Sequence, residues 1–510
     1  MVTEVGFFME LRLSKDLGKN LDYFKNLFKD CDDLVYRIIE VGKETRIKLV
    51  IIFIDGLINK DYISEYAIAS LIVEEKLGTS SLQDFKNILL DKVAKEDLAT
   101  AEIKEEDGLE NITNAILSGD TLLLVDQIDK ALIIGSRGWQ SRSISEPTTE
   151  SVIRGPRDSF VETLKFNVVS VRRRIKDTKF KVKMHKVGKR SQTDVAVLYI
   201  EDIVDHKIVD EVKKRLENID IDAVLDSSIL ENLIEDNYMS LFSQIESTER
   251  PDSVAASLYE GRVALIVDNS PFVLIVPATL GTLLQSSEDY YTRWIEATFI
   301  RFIRILAIIM VLLPSALYVA LTAYHPGLLP TRLVYFLAAS RINVPFPAVI
   351  EAMGMELTLE VLRQAGTRFS GPIGSTIGIV GGLIIGQAAV DAGVVSNLII
   401  ILVAISTIAS FAIPSYELSA ALRICRFAFI FLAGVLGLYG IMLGIIILGS
   451  HMVMLNSFGV PFASPFSGYG IEQGDLKDTL VKAPIQRLWL RPGFTNPRDK
   501  KRMKSGKKNE

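Results

Sequence analysis

The feature that most restricts this chain is where its apolar residues lie. From Glu296 to Ser450 long apolar runs dominate, whereas residues 1–290 read as ordinary globular sequence. That segregation reconciles a mean hydropathy of +0.28 with a charged fraction of 23 %, which no uniform soluble chain combines. A membrane-crossing helix needs about 20 mostly apolar residues. Four segments fit: 304–324, 373–390, 394–413 and 427–449. Pro314 should kink the first, with Arg301 and Arg304 at its cytoplasmic edge. Residues 326–370 hold Arg332, Arg341, Glu351, Glu356, Glu360, Arg363 and Arg368, too many charges for a simple span. They read as interfacial or re-entrant helices facing a pore or a partner, unless Leu333–Ile350 crosses and makes a fifth span.

Orientation follows from charge. The start lacks the basic and apolar regions of a signal peptide, so the N-terminus is expected in the cytoplasm. The tail from Arg491 to Glu510 carries eight Lys or Arg against two acids, which places it inside as well. Two inner ends require an even number of crossings, which favours four.

At 510 residues the chain exceeds one core. The expected fold class is multidomain: two α/β cytoplasmic subdomains joined by a linker helix, then an all-α membrane domain with about four spans and a re-entrant or interfacial segment. The boundaries are an N-terminal extension (1–35), subdomain 1 (36–145), a loop and linker helix (146–176), subdomain 2 (177–290), the membrane domain (291–455) and a basic tail (456–510). The two soluble units look like a weak duplication. "IKLVIIFIDG" and "TDVAVLYIED" each read as a buried strand and turn, with Asp55 and Glu201 at matching strand ends. "GDTLLLVDQIDKALIIG" and "GRVALIVDNSPFVLIVP" each read as a hairpin, with Asp126 and Asp268 near the turns. Any two α/β units share such features, so likeness at this level does not require duplication.

Between them runs "EPTTESVIRGPRDSFVETLKFNVVSVRRRI", residues 146–175. Pro147 and Pro156 forbid helix before about Arg157. Beyond that, Phe160, Leu164, Val168, Val171 and Ile175 follow one helical face. Asp158 and Glu162 near the start and Arg172–Arg174 at the end match the helix dipole. The preceding loop holds Arg137, Arg142, Arg154 and Arg157 beside Glu146 and Glu150, either as a paired network or as a solvated linker. Bidentate pairing of Arg154 and Arg157 with Glu146 or Glu150 is the expectation.

These residues resemble the signature of the A subunit of GerA-family spore germination receptors: Glu146, Pro147 and Glu150, then Arg154, Gly155, Pro156 and Arg157, then Asn167 with Arg172, Arg173 and Arg174. "RINVPFPAVIEAMGMELTLEVLRQAG", "GIVGGLIIGQAAVDAGVVS", "ASFAIPSYELS" and "SFGVPFASPF" are similar to that family too, so the likeness runs from roughly residue 40 to 500. It implies a multi-pass subunit of the spore inner membrane, partnered by a transporter-like B subunit and a lipoprotein C subunit.

No phosphate loop, zinc motif or Cys pair is present, and the four histidines do not cluster in sequence, so no enzyme, metal or cofactor is expected. Net charge is −5, without a basic signal for nucleic acid. The glycine-rich span 373–390 allows close helix packing through Gly374, Gly378 and Gly382. It is either an ordinary tight span or the wall of a pore formed by several copies. In the second reading Val380, Ile384 and Gln387 line the path and gate it by dewetting. Glu351, Glu356 and Glu360 are alternative lining residues at a re-entrant mouth. Two functions follow: a receptor subunit that oligomerises into a nutrient-gated ion channel, or a transporter-like or scaffolding membrane subunit without its own pore.

Overall fold

The computed structural model describes residues 12–41, 47–58, 103–138, 147, 149–150, 152–368, 386–467 and 476–503. Two five-stranded sheets form the soluble half. The strands are β1 (Leu34–Val41), β2 (Ile47–Ile54), β3 (Ile103–Glu106), β4 (Thr121–Val125) and β5 (Ala131–Ile134), then β6 (Phe180–Val187), β7 (Thr193–Ile200), β8 (Glu246–Thr248), β9 (Val263–Val267) and β10 (Val273–Val276). Their spatial orders are β1-β2-β4-β5-β3 and β6-β7-β9-β10-β8, the same path repeated. All pairings within them are antiparallel. The alternating strand and helix signals thus build hairpins rather than parallel crossovers. The repeat extends to detail. Asp126 and Asp268 donate backbone N–H groups to Lys48 and Asp194, both at 3.0 Å. Gln127 and Asn269, the next residues, share a φ of 65°.

Continuous apolar strands need cover on both faces. Val50, Ile52 and Ile54 of β2 pack with helices α1 (Leu17–Leu27) and α2 (Leu109–Leu117), while Leu49, Ile51 and Phe53 form a second cluster on the opposite face. In the second sheet, Ala196, Leu198 and Ile200 meet α3 (Leu164–Arg172) and α6 (Pro251–Tyr259). Val195, Val197 and Tyr199 meet α4 (His206–Glu217) and α5 (Ser227–Ile234).

This layering revises three expected boundaries. Residues 13–34 are not an extension, because Leu13, Leu17, Phe24, Phe28 and Leu34 belong to the first core. The linker helix starts at Leu164 rather than Arg157 and serves as the first helix of the second repeat, with Phe160, Leu164, Val168, Val171 and Ile175 all in its core. The basic tail is not a free end: Arg498 donates its backbone N–H to Ile203 at 2.9 Å, and Thr495 Oγ1 donates to the Glu260 carbonyl at 2.7 Å.

The longer helices that follow are α7 (Trp294–Leu312), α8 (Pro314–Ala323), α9 (Thr331–Ser340), α10 (Ala348–Arg368), α11 (Asn397–Ser410), α12 (Tyr416–Leu436) and α13 (Leu438–Met454). Among the described residues α12 is long and apolar enough to cross a membrane, and α7 with α8 is a second such element if its 43° bend lies within one span. The bend falls at Pro314, where the proline has no N–H to continue the helix. The expected span 427–449 is instead broken at Gly437, whose φ of 62° and ψ of −139° suit glycine alone. A Cβ there would come within 2.8 Å of His325 and 3.0 Å of Tyr324. The chain folds back, and Gly444 of α13 packs against Phe429 of α12. Residues 326–370 contain a continuous 21-residue helix, α10.

Candidate functional site: the signature loop and its junctions

The region around residues 147–175 gathers contacts from both soluble repeats and from Tyr291 just ahead of α7. Its hub is Arg250, the N-cap of α6, which is buried. Pro251 at the first helical position lacks an N–H and fixes the chain's entry into the helix. Arg250 Nη2 donates to the Pro156 carbonyl at 2.9 Å and to Asp252 Oδ2 at 2.8 Å, and Nη1 donates to the Glu150 carbonyl at 3.3 Å. The Thr248 hydroxyl donates to Glu150 Oε2 at 2.6 Å. Burial pushes the Glu150 carboxyl up to about 7 against the opposing effect of that hydrogen bond, and neighbouring Glu246 adds to the rise.

Gly155 has a φ of 138°, and a Cβ there would lie 2.7 Å from the Tyr291 ring. Tyr291 itself donates to Asp252 Oδ2 at 2.7 Å. The Arg-Gly-Pro turn therefore seats its backbone on an aromatic face just ahead of α7. Pro147 is buried. The expected pairing of Arg154 with Glu150 does not occur: Arg154 is exposed, and the Glu150 carboxylate is taken by Thr248. Arg157 is exposed but is engaged in a polar or charge contact of its own. Glu146 lies outside the described residues.

The end of the motif joins the two repeats. Asn167 closes its own turn, accepting from Val161 N at 2.8 Å. Arg172 reaches Asp33 of the first repeat through Nε at 2.9 Å and Nη2 at 2.7 Å, a bidentate pair with both side chains buried. Its guanidinium also lies over the Phe180 ring, 4.6 Å from the centroid. Arg174 binds Asp158 at 2.6 Å, the charge complement expected along the helix but made across its entry loop. Arg173 is the C-cap and is exposed.

Four further contacts tie the second repeat to three apolar helices. Buried Asp289 accepts from Arg301 Nε at 3.1 Å and Arg304 Nη1 at 2.7 Å, both within α7. The Ser247 hydroxyl donates to Glu417 Oε1 at the start of α12 at 2.6 Å. Ser240 Oγ lies 3.1 Å from His451 Nε2 near the end of α13. A cavity of about 320 Å³ sits at this junction, lined by Glu150, Thr248, Arg250, Ser286, Pro414 and Glu417 among others. Sequence reasoning missed Arg250, Asp252, Asp289 and Asp33. The nearest signal was Arg-Pro-Asp at 250–252, which reads locally as no more than a helix start.

Glu351, Glu356 and Glu360 turn inward within one chain. Glu351 accepts from Ser396 N at 2.6 Å and lies 3.5 Å from Arg341. Glu356 accepts from the Ser315 hydroxyl at 2.8 Å and pairs with Arg426 at 2.8 Å, with both charged groups buried. Glu360 pairs with Arg363 and lies 3.8 Å from Arg423. These carboxylates neutralise arginines between helices, so within the protomer they are not free at a pore mouth. Gln387 is exposed and donates to Asp391 at 3.1 Å; Val380 and Ile384 lie outside the described residues. No cluster of three or more potential metal ligands occurs among the described residues.

The model of the Bacillus/Clostridium GerA spore germination protein family matches residues 22–494. The chain belongs to the GerA family. Similar proteins include "Spore germination protein KA" of Bacillus subtilis, 41 % identical over 96 % of this chain and 88 % of that protein. GerLA of Bacillus cereus is 41 % identical over 95 % of this chain and 98 % of its own length. The "uncharacterized membrane protein YfkQ" of B. subtilis is 40 % identical over 94 % and 91 %. A solved N-terminal domain of the A subunit of the Bacillus megaterium germinant receptor GerK3 aligns with a TM-score of 0.42 and 31 % identity, over 53 % of this chain and 98 % of that one. In this GerA-family member the segment 147–175 is a structural junction, and the family is one of spore germination rather than a known enzyme family.

Proposed function

We propose that this chain is the A subunit of a nutrient-responsive germination receptor in the spore inner membrane, with both ends cytoplasmic. Copies assemble around an ion path that opens at the start of germination, and transporter-like B and lipoprotein C subunits complete the receptor. The observation that carries the reading is the triple attachment of one soluble repeat to helices α7, α12 and α13 through Arg301 and Arg304, Glu417 and His451. A displacement of the soluble pair reaches all three helices through short polar bonds, as a gate needs.

The polar side chains inside each protomer favour a path between copies. Glu356 and Arg426 pair as ions within one bundle, as do Glu351 and Arg341, so they hold helices together. The glycine-rich stretch with Val380, Ile384 and Gln387 is the proposed wall, an apolar neck that closes by dewetting.

Two measurements test this. The chain reconstituted alone in liposomes should conduct ions; saturable uptake of a small solute without conductance would favour the transporter or scaffold reading. Spores carrying Val380→Ser should leak ions without nutrient at normal protein level. A stable, silent Val380→Ser protein removes this stretch from the pore.

A further inference from the structure

We propose that the loop 237–241 of the second soluble repeat is a membrane anchor that inserts into the lipid interface beside the end of α13. The inference rests on the membrane reading above and adds a lipid contact made by the soluble half.

The loop exposes three apolar side chains in a row of five: Tyr238 and Met239 are each 78 % exposed and Leu241 is 49 % exposed. Its frame is nevertheless fixed. Gln244, fully buried, accepts from Asn237 N at 2.8 Å and donates to the Asn237 carbonyl at 3.0 Å. Met239 N donates to Asn237 Oδ1 at 3.1 Å, and Phe242 N donates to Ser240 Oγ at 3.1 Å. Phe242 is buried against the Phe462 and His451 rings. Most backbone N–H groups of the loop thus have partners inside the protein, which is what an irregular segment needs to enter a region poor in water.

The neighbouring acids are engaged as well. Asp236 holds Arg215 at 2.6 Å and the Phe458 backbone N–H at 2.7 Å, while Glu231 lies 2.7 Å from the Ser243 hydroxyl and Glu235 accepts from Gln244 N at 3.2 Å. No charged residue lies between Asn237 and Phe242.

Position selects lipid as the occupant. Ser240 touches His451 at the last turn of α13, and the exposed Val453 and Met454 follow directly. Further along α13, Met442, Ile445, Ile446 and Ile447 form an exposed apolar surface. The loop therefore continues the lipid-facing side of that helix at the level where it leaves the membrane. The same repeat touches the start of α12, from which α13 folds back, so both helix ends lie on one side. Tyrosine suits this depth, with an apolar ring and a polar tip.

The test places a nitroxide at Met239→Cys in the full chain, reconstituted in phosphatidylcholine–phosphatidylglycerol nanodiscs. Ile446→Cys on α13 and Lys189→Cys in the β6–β7 turn serve as lipid and water references; native Cys31 and Cys425 are buried. The ratio of oxygen to nickel-chelate accessibility at 239 should rise above that at 189 toward that at 446. A value at 239 equal to 189, with 446 in lipid, overturns the anchor alone. Water-like values at both 239 and 446 overturn the membrane reading beneath it. A label at 239 shielded from both reagents shows a second copy covering the loop and also overturns the proposal.

Discussion

The two soluble repeats share a strand path and even a backbone conformation after β4 and β9, yet they do different work. At the N-cap of α2 the first repeat has Gly108; at the equivalent N-cap of α6 the second has Arg250. Gly108 has no side chain to extend, while Arg250 reaches the signature loop and Asp252. Where α3 of the second repeat ends in buried Arg172, α1 of the first carries exposed Lys25 in its last turn. The scaffold is duplicated, and a few charged side chains on one copy convert it into a joint.

The largest effect that would sharpen this contrast is at Arg172. Arg172→Ala strands buried Asp33 and should cost about 3–5 kcal/mol, whereas Lys25→Ala should stay within about 0.5 kcal/mol. Chemical denaturation of the two variants measures both, and equal losses would break the comparison. Arg250→Gly, which writes the first repeat's residue into the second, should cost about 2–4 kcal/mol by leaving Asp252 and the Pro156 carbonyl short of a partner. Membrane protein level should fall with it, while Ala at Gly108 should leave the level unchanged.

A smaller loss, about 1–3 kcal/mol, is expected for Gly155→Ala, from positive φ and contact with Tyr291. Tyr291→Ala beside it should relieve only the contact part, seen as partial recovery of melting temperature.

Glu150 supplies a pH signature that is specific to the second repeat. Its carboxyl is raised from 4.5 to about 7, so the folded state holds the proton more tightly than the unfolded chain. That contribution is complete below about pH 4.5 and is lost as pH rises through about 7. Glu150→Gln should flatten this part of the thermal-melting profile. An unchanged slope in the variant would assign the dependence elsewhere. The smallest effect is expected at Arg154→Ala, an exposed side chain whose loss should change stability by no more than about 0.5 kcal/mol.

The likeness of the two units could be read from the sequence because strand burial and hairpin turns follow a local period, but the shared strand path that makes it a duplication is seen in the structure, where Asp126 and Asp268 mark equivalent turns. That Phe160, Leu164, Val168, Val171 and Ile175 share one core was legible for the same reason, although only the middle three lie in the helix, and so was the Pro314 kink, a direct consequence of a missing N–H. The break at Gly437 was hidden, since one glycine in an apolar run fits a continuous helix as well as a turn; the packing of Tyr324 and His325 against it decides.

The sequence by itself determined that apolar segments gather in the C-terminal part and that a charged motif lies between two similar soluble units. Only the tertiary structure decided which charges meet. Arg172 and Asp33 are 139 residues apart, and Arg250 lies 94 residues from Pro156. Local pattern records how often a side chain faces a core, because burial repeats with the backbone period. It does not record ion-pair partners, because a guanidinium pairs with any carboxylate that folding brings within about 3 Å, whatever the separation along the chain.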